Sequence, residues 1–138
     1  MGFPNIDRFP DSHPGPYERQ MGGQIVALLR LFEGRVPDAE SHACVMALAA
    51  NSSRWSAGHA VFDEVRRRLL AAMDRGDKNK TCQYAFEESC CQAVYNAIES
   101  PDPFDPSSAF FVVGQALGLA QLVGVSLDAV AGVFTSDA

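Results

Sequence analysis

Two acidic pairs, Asp63-Glu64 and Glu87-Glu88, are the residues of this chain whose type and spacing come nearest to metal chemistry. Carboxylates projecting from neighbouring helices can share a magnesium ion between them. A helical wheel argues against such a site here. Asp63 and Glu64 each fall roughly 130° from the centre of the apolar stripe that runs from Trp55 to Ala72, one on either side, and are expected to face water. Glu88 lies opposite the stripe formed by Phe86, Ala93 and Ala97, and only Glu87 lies near its edge.

The acidic pairs are similar in kind to those of the all-α nucleotide pyrophosphohydrolases, which line a bundle interior. The outward wheel positions and an acid-free fifth helix depart from that pattern, so the family is not assigned. A magnesium-dependent all-α phosphohydrolase using Glu87 and its neighbours is the third-ranked reading. For zinc, the available ligands are His13, His42, His59 and the cysteines Cys44, Cys82, Cys90 and Cys91. They form no C-x-x-C, H-x-x-x-H or H-E-x-x-H spacing, and no metal site or cofactor is expected. His42 and Cys44, two apart on a predicted helix, do not face each other.

Nucleophilic chemistry has little support. No serine stands in a G-x-S-x-G elbow, and the cysteines read as small packing residues. The glycines Gly114, Gly118, Gly124 and Gly132 lie in or between predicted helices and do not form a phosphate-binding loop. Four residues suit ligand binding better. Gln115 and Gln121 sit in an otherwise apolar helix, where a buried amide needs hydrogen-bond partners. Trp55 and Tyr95, with Tyr84, are aromatics whose polar tips favour half-wet sites.

Positioning these residues falls to helices. Ala109 to Val125 is a seventeen-residue run in which only Gln115 and Gln121 are polar. A helix without a polar face must be surrounded, so this segment (about 106–123) is expected to be the central helix. It is short for a membrane span and lacks anchoring Lys/Arg or Trp/Tyr flanks, so no membrane association is expected. Tyr17, Met21, Ile25, Leu28 and Phe32 predict helix 1 over about 17–33, weakened by Gly22-Gly23 and ended by Gly34. Pro37-Asp38 opens helix 2, about 38–50. Helix 3 follows an N-cap at Ser53 and ends at Gly76, with Asp63–Arg67 and Glu64–Arg68 as pairs on a solvated face. Helix 4 runs from about 81 to 99. A rigid connector from Ser100 to Pro106 tucks in Phe104, with Asp105-Pro106 starting helix 5 and Gly124 ending it. Ser126 caps a short helix 6.

Residues 1–16 read as an extended arm, because Pro4, Pro10, Pro14 and Pro16 remove donors and restrict their neighbours. Phe3, Ile6 and Phe9 are its apolar anchors, expected to fold over the same domain. The expected architecture is all-α: a compact orthogonal or up-down bundle of five to six helices, one domain over 17–138.

The 138 residues carry a net charge of −6, which disfavours nucleic acid; the one basic run, Arg66-Arg67-Arg68, is offset by Asp63 and Glu64. No apolar leader is read in the first twenty residues, so reduced cysteines and a cytoplasmic location are expected. The expected function is a non-catalytic helical interaction protein of immunity, antitoxin or adaptor type that binds another protein. A homodimer through the helix 5 glycines or the arm is a linked expectation. The alternative is a small-molecule-binding domain with a pocket between helices 3, 4 and 5, lined by Gln115, Gln121, Trp55 and Tyr95.

Overall fold

The computed structural model describes residues 2–4, 16–50, 58–99 and 107–135, and every regular element among them is helical. In chain order they are α1 (Pro16–Arg30), α2 (Ala39–Ala50), α3 (Gly58–Asp74), α4 (Lys78–Glu99), α5 (Ser107–Val123) and α6 (Leu127–Thr135). Ile6, Phe9, His13, Ser53, Trp55, Phe104, Asp105 and Pro106 lie outside the described residues.

Local chemistry sets the boundaries. At the end of α3, the Gly76 amide donates to the Met73 carbonyl and the Asp77 amide to the Ala72 carbonyl, with Gly76 at φ +66°. That paired pattern closes a helix around a left-handed residue, which glycine adopts without a Cβ penalty. Gly124 ends α5 in the same conformation, its amide and that of Val125 both donating to Ala120 O. Asp77 caps α4 by accepting from the Lys80 amide, so this helix begins three residues earlier than the sequence suggests. Ser126 accepts from the Ala129 amide and caps α6. After Arg30 the chain continues in tight i→i+3 turns through Arg35, and Arg35 reaches across to the Val123 and Gly124 carbonyls at the end of α5.

The centre of the fold is α4. It packs against α1, α2, α3 and α5, whereas α5 packs mainly on α4 and α6. The expectation of a central helix 5 is therefore corrected. Val112, Ala116, Leu119 and Ala120 form its buried side, while Phe110, Phe111, Gly114, Gly118 and Gln121 face solvent. Its hydropathy is nearly uniform around the axis, so the pattern could not reveal that one side is open.

Phe32 of the α1–α2 turn and Phe86 of α4 meet at the middle of the core, their ring centroids 5.0 Å apart. Ile25, Leu28, Leu48, Val61, Val65, Val94 and Leu119 belong to the same buried core. Gly22 lets α1 approach α2: a Cβ there would stand 2.6 Å from the Ala49 carbonyl oxygen. Among the described residues no helix is long and apolar enough to cross a membrane.

Candidate functional site

Charge is buried where α2, α3 and α4 converge, and the residues involved differ from those the sequence singled out. Ser41, His42, Gln83 and Glu87 are each at most 3% exposed. Asp38 begins the arrangement as the N-cap of α2, accepting from the Ser41 amide at 3.1 Å. Gln83 of α4 then reads the backbone of Asp38 twice. Its Nε2 donates to the Asp38 carbonyl at 2.7 Å, and its Oε1 accepts from the Asp38 amide at 3.0 Å. The second Nε2 hydrogen goes to Glu87 Oε2 at 2.8 Å, so the amide is fully used and its orientation is fixed by its partners.

Glu87 is surrounded by donors. Ser41 Oγ donates to Oε1, and Gln83 and His42 Nδ1, the latter at 3.3 Å, approach Oε2. The other imidazole nitrogen, His42 Nε2, lies 2.7 Å from the Leu29 carbonyl in the last turn of α1. An acceptor faces each ring nitrogen, an arrangement that favours the protonated form of His42. Burial opposes that charge, but the Glu87 hydrogen bond and the Leu29 carbonyl outweigh it and hold the imidazole above its usual range. The His42 ring thus ties three helices: α1 through the Leu29 carbonyl, α2 through its own backbone, and α4 through the Glu87 carboxyl group.

Arg68 of α3 closes the outer side. Its guanidinium meets Asp38 at 2.8 Å, Glu64 at 2.7 Å and Glu40 at 2.6 Å. Arg67 also binds Glu64 through both Nε and Nη2. Burial pushes the Asp38 carboxyl up, yet the Tyr84 hydroxyl, the Ser41 amide and Arg68 together hold it below the usual carboxylate range. Hydrogen bonds from Arg67 lower Glu64 against its own burial. Two expectations are corrected here. Glu64 does not face water but is 7% exposed beneath the two arginines, and the pairing of Arg67 is with Glu64 rather than Asp63. Glu64 lies within one turn of both arginines, and two guanidinium side chains converging on one carboxylate offset the cost of its burial.

Phe3 lies with its ring 4.5 Å from the Arg68 guanidinium carbon and packs on the core. This anchor of the N-terminal segment therefore rests on its own chain, its π-face against the cation.

The serine, histidine and glutamate do not form a nucleophile and base. Ser41 Oγ donates to the carboxylate, and His42 Nε2 is occupied by a backbone carbonyl, so no imidazole nitrogen is free to take the serine proton. The cysteines are packing residues: burial pushes the Cys44 thiol up to about 11, and the Cys90 and Cys91 thiols up as well, away from the reactive thiolate. Among the described residues, no group of three or more His, Cys, Asp or Glu side chains is placed to hold a metal ion.

Two surface features remain. Between α3 and α4 an open hollow of about 140 Å³ is lined by Gly58, His59, Phe62, Cys91, Gln92 and Tyr95. The His59 ring meets the edge of Tyr95 at 5.7 Å. Of the four residues expected to line a ligand pocket, Tyr95 alone stands here; Trp55 lies outside the described residues. Gln115 is half-buried and Gln121 exposed, so neither is an enclosed amide in want of a partner, and neither lines this hollow. Tyr84 is buried and spends its hydroxyl on Asp38.

The second feature is the outer side of α5. Phe110 is 71% exposed and Phe111 59%, and Gly114, Gly118 and Gln121 continue the same strip along the helix. No Asp, Glu, Lys or Arg occurs between Ser107 and Val123. Compared with protein-family models, with curated proteins and with solved structures, the chain gives no match.

Proposed function

We propose that this chain is a non-catalytic, cytoplasmic helical interaction protein, of adaptor, immunity or antitoxin type, which binds another protein through the outer side of α5. The observation that carries the reading is the pair Phe110 and Phe111, largely exposed on a helix side that bears no charge. Scattered exposed apolar residues need no explanation, but aromatic side chains joined to a strip of small residues make the kind of surface that partners cover. The buried polar junction supports the same reading from the other direction. Its histidine and carboxylates are spent on one another, and they make a rigid seat for α4, on which α5 rests.

Site-specific incorporation of a photo-crosslinking phenylalanine analogue at Phe110, and separately at the exposed Leu70 of α3, tests this. Irradiation in cells is expected to give protein adducts of discrete mass from position 110 and none from position 70. Position 110 giving only the free chain would overturn the reading.

A second reading, a small-molecule-binding domain, draws on the hollow beside Tyr95. Its lining mixes an aromatic floor, Phe62 and Tyr95, with the polar Gln92 and His59, a combination that orients small ligands. Saturation-transfer NMR with a library of aromatic fragments checks it: signals abolished by Tyr95→Ala would favour this reading over the first.

A further inference from the structure

We infer that the occupant of the α5 surface is a second copy of this chain, with the two α5 helices crossing antiparallel about a two-fold axis at Gly114. The inference rests on the interaction reading above and names its partner.

The glycines supply the first argument. Gly22 has a reason inside the chain, since a Cβ would collide with the Ala49 carbonyl 2.6 Å away. Gly114 and Gly118 have none among the described residues: a Cβ at either would meet nothing within 4 Å there. Glycine is the poorest helix former after proline, so two of them on an open helix side weaken α5 without any return in packing against the described residues. An approach by another backbone makes use of both.

Register supplies the second. Phe110 and Gly118 each lie four residues, about one helical turn, from Gly114. A two-fold axis at Gly114 therefore sets Phe110 of one copy over Gly118 of the other, and the reverse. The same surface provides a knob and a hole in the spacing that a two-fold contact requires, where residue i meets j and j meets i. A helix whose aromatic and glycine positions were not symmetric about a third small residue would lack this property.

Charge supplies the third. Each copy carries −6 overall, so self-association is least opposed where neither copy presents charge. Ser107 to Val123 contains no ionisable side chain. By contrast the exposed part of α3, where Leu70 and Met73 also stand out, carries Asp63, Arg66, Arg67 and Asp74.

The size of the contact fixes its strength. A seventeen-residue helix is about 25 Å long, and its outer half offers on the order of 400–500 Å² per copy. This is below the ~800 Å² per partner of a standard interface, so the dimer is expected to dissociate on dilution into the micromolar range.

Sedimentation velocity of the full chain between about 1 and 200 μM is the test, with Gly118→Leu and Phe110→Ala as variants. The expected result is a reversible monomer–dimer equilibrium weakened at least tenfold by either change. Gly118→Leu is the sharper probe, because the open space around Gly118 lets the monomer keep its fold, and thermal unfolding of the diluted variant is expected at or above the wild-type temperature. A dimer that both variants leave intact would overturn the inference by placing the contact elsewhere. A wild-type monomer at every concentration, together with crosslinks from position 110 to a different protein, would overturn self-pairing and leave the interaction reading standing. A wild-type monomer that dimerises only when Phe3, Ile6 and Phe9 are all changed to alanine would also overturn it, by making the N-terminal segment the occupant.

Discussion

The junction of α2 with α4 and the outer side of α5 reverse the usual placement of residues. The first encloses a histidine, two amide or hydroxyl side chains and a carboxylate at 3% exposure or less; the second holds two phenylalanines in water. What separates them is the supply of partners. Every polar side-chain atom of Glu87, His42 and Gln83 has a hydrogen-bond counterpart, which offsets much of what burial costs them. Phe110 and Phe111 stand exposed beside the described residues, so hydrophobicity alone does not bury them there. Position in this fold follows complementarity rather than residue type.

The sharpest way to break the contrast is to remove one partner from the junction. Glu87→Ala leaves an imidazolium enclosed with no carboxylate, and losing one member of a buried pair typically destabilises by about 3–5 kcal/mol. Chemical denaturation is expected to show a loss of that size or failure to fold. The double replacement His42→Leu with Glu87→Leu removes both charges together and is expected to recover most of the loss, because a buried pair contributes little net stability beyond an apolar pair of similar volume. A double variant no better than Glu87→Ala would mean that the surrounding Ser41 and Gln83 hydrogen bonds, rather than the charge pair, set the cost.

Protonation offers a gentler break. His42 is raised above its ordinary value of 6.5 in the folded protein, so the native state holds this proton more tightly than the unfolded chain. Its contribution is complete below pH 6.5 and is lost as pH climbs through the folded value. Asp38 and Glu64 are lowered from 3.8 and 4.5, so their contribution is complete above those values and is lost as pH falls through the lower folded ones. Unfolding free energy is therefore expected to peak between about pH 5 and 6.5. His42→Gln, scanned alongside the wild type by urea denaturation, is expected to flatten the alkaline limb while keeping the acid one. An alkaline limb of unchanged slope would show that another group carries it.

How much of this was legible in the sequence differs between the two regions for a physical reason. Helix ends are written locally: Gly76, Gly124 and Ser126 act through hydrogen bonds to residues three to five positions away, and all three end or begin helices as their types suggest. The all-helical class follows from the same local signals. The junction is written non-locally. Asp38 meets Gln83, and His42 meets Glu87, across 45 residues, a separation that no wheel or spacing rule spans. Glu87 at the edge of its apolar stripe was the one visible sign, and its neighbour Gln83, one turn earlier on the same side of α4, completes it. For α5 the obstacle was different. Apolar residues on both sides of the helix conceal which side is covered, and the periodicity that reveals burial in α3 is absent.

The smallest effects expected are the most discriminating, because they have opposite signs for the same substitution. Gly22→Ala drives a methyl group into a backbone carbonyl that cannot swing aside as a side chain would, and α1 must shift from α2. Overpacking of this kind costs roughly 1–3 kcal/mol. Gly118→Ala adds the same methyl group to open space on α5 and is expected to stabilise the monomer by roughly 0.5–1 kcal/mol through helix propensity alone. Thermal unfolding at low micromolar concentration, where no dimer contributes, is the proper measurement for both. Destabilisation by Gly118→Ala would mean that the methyl group has a neighbour after all, and the surface beside Phe110 would then belong to this chain's own packing. Stabilisation at low concentration, with weaker association at high concentration, would separate what that glycine does for the helix from what it does for the contact.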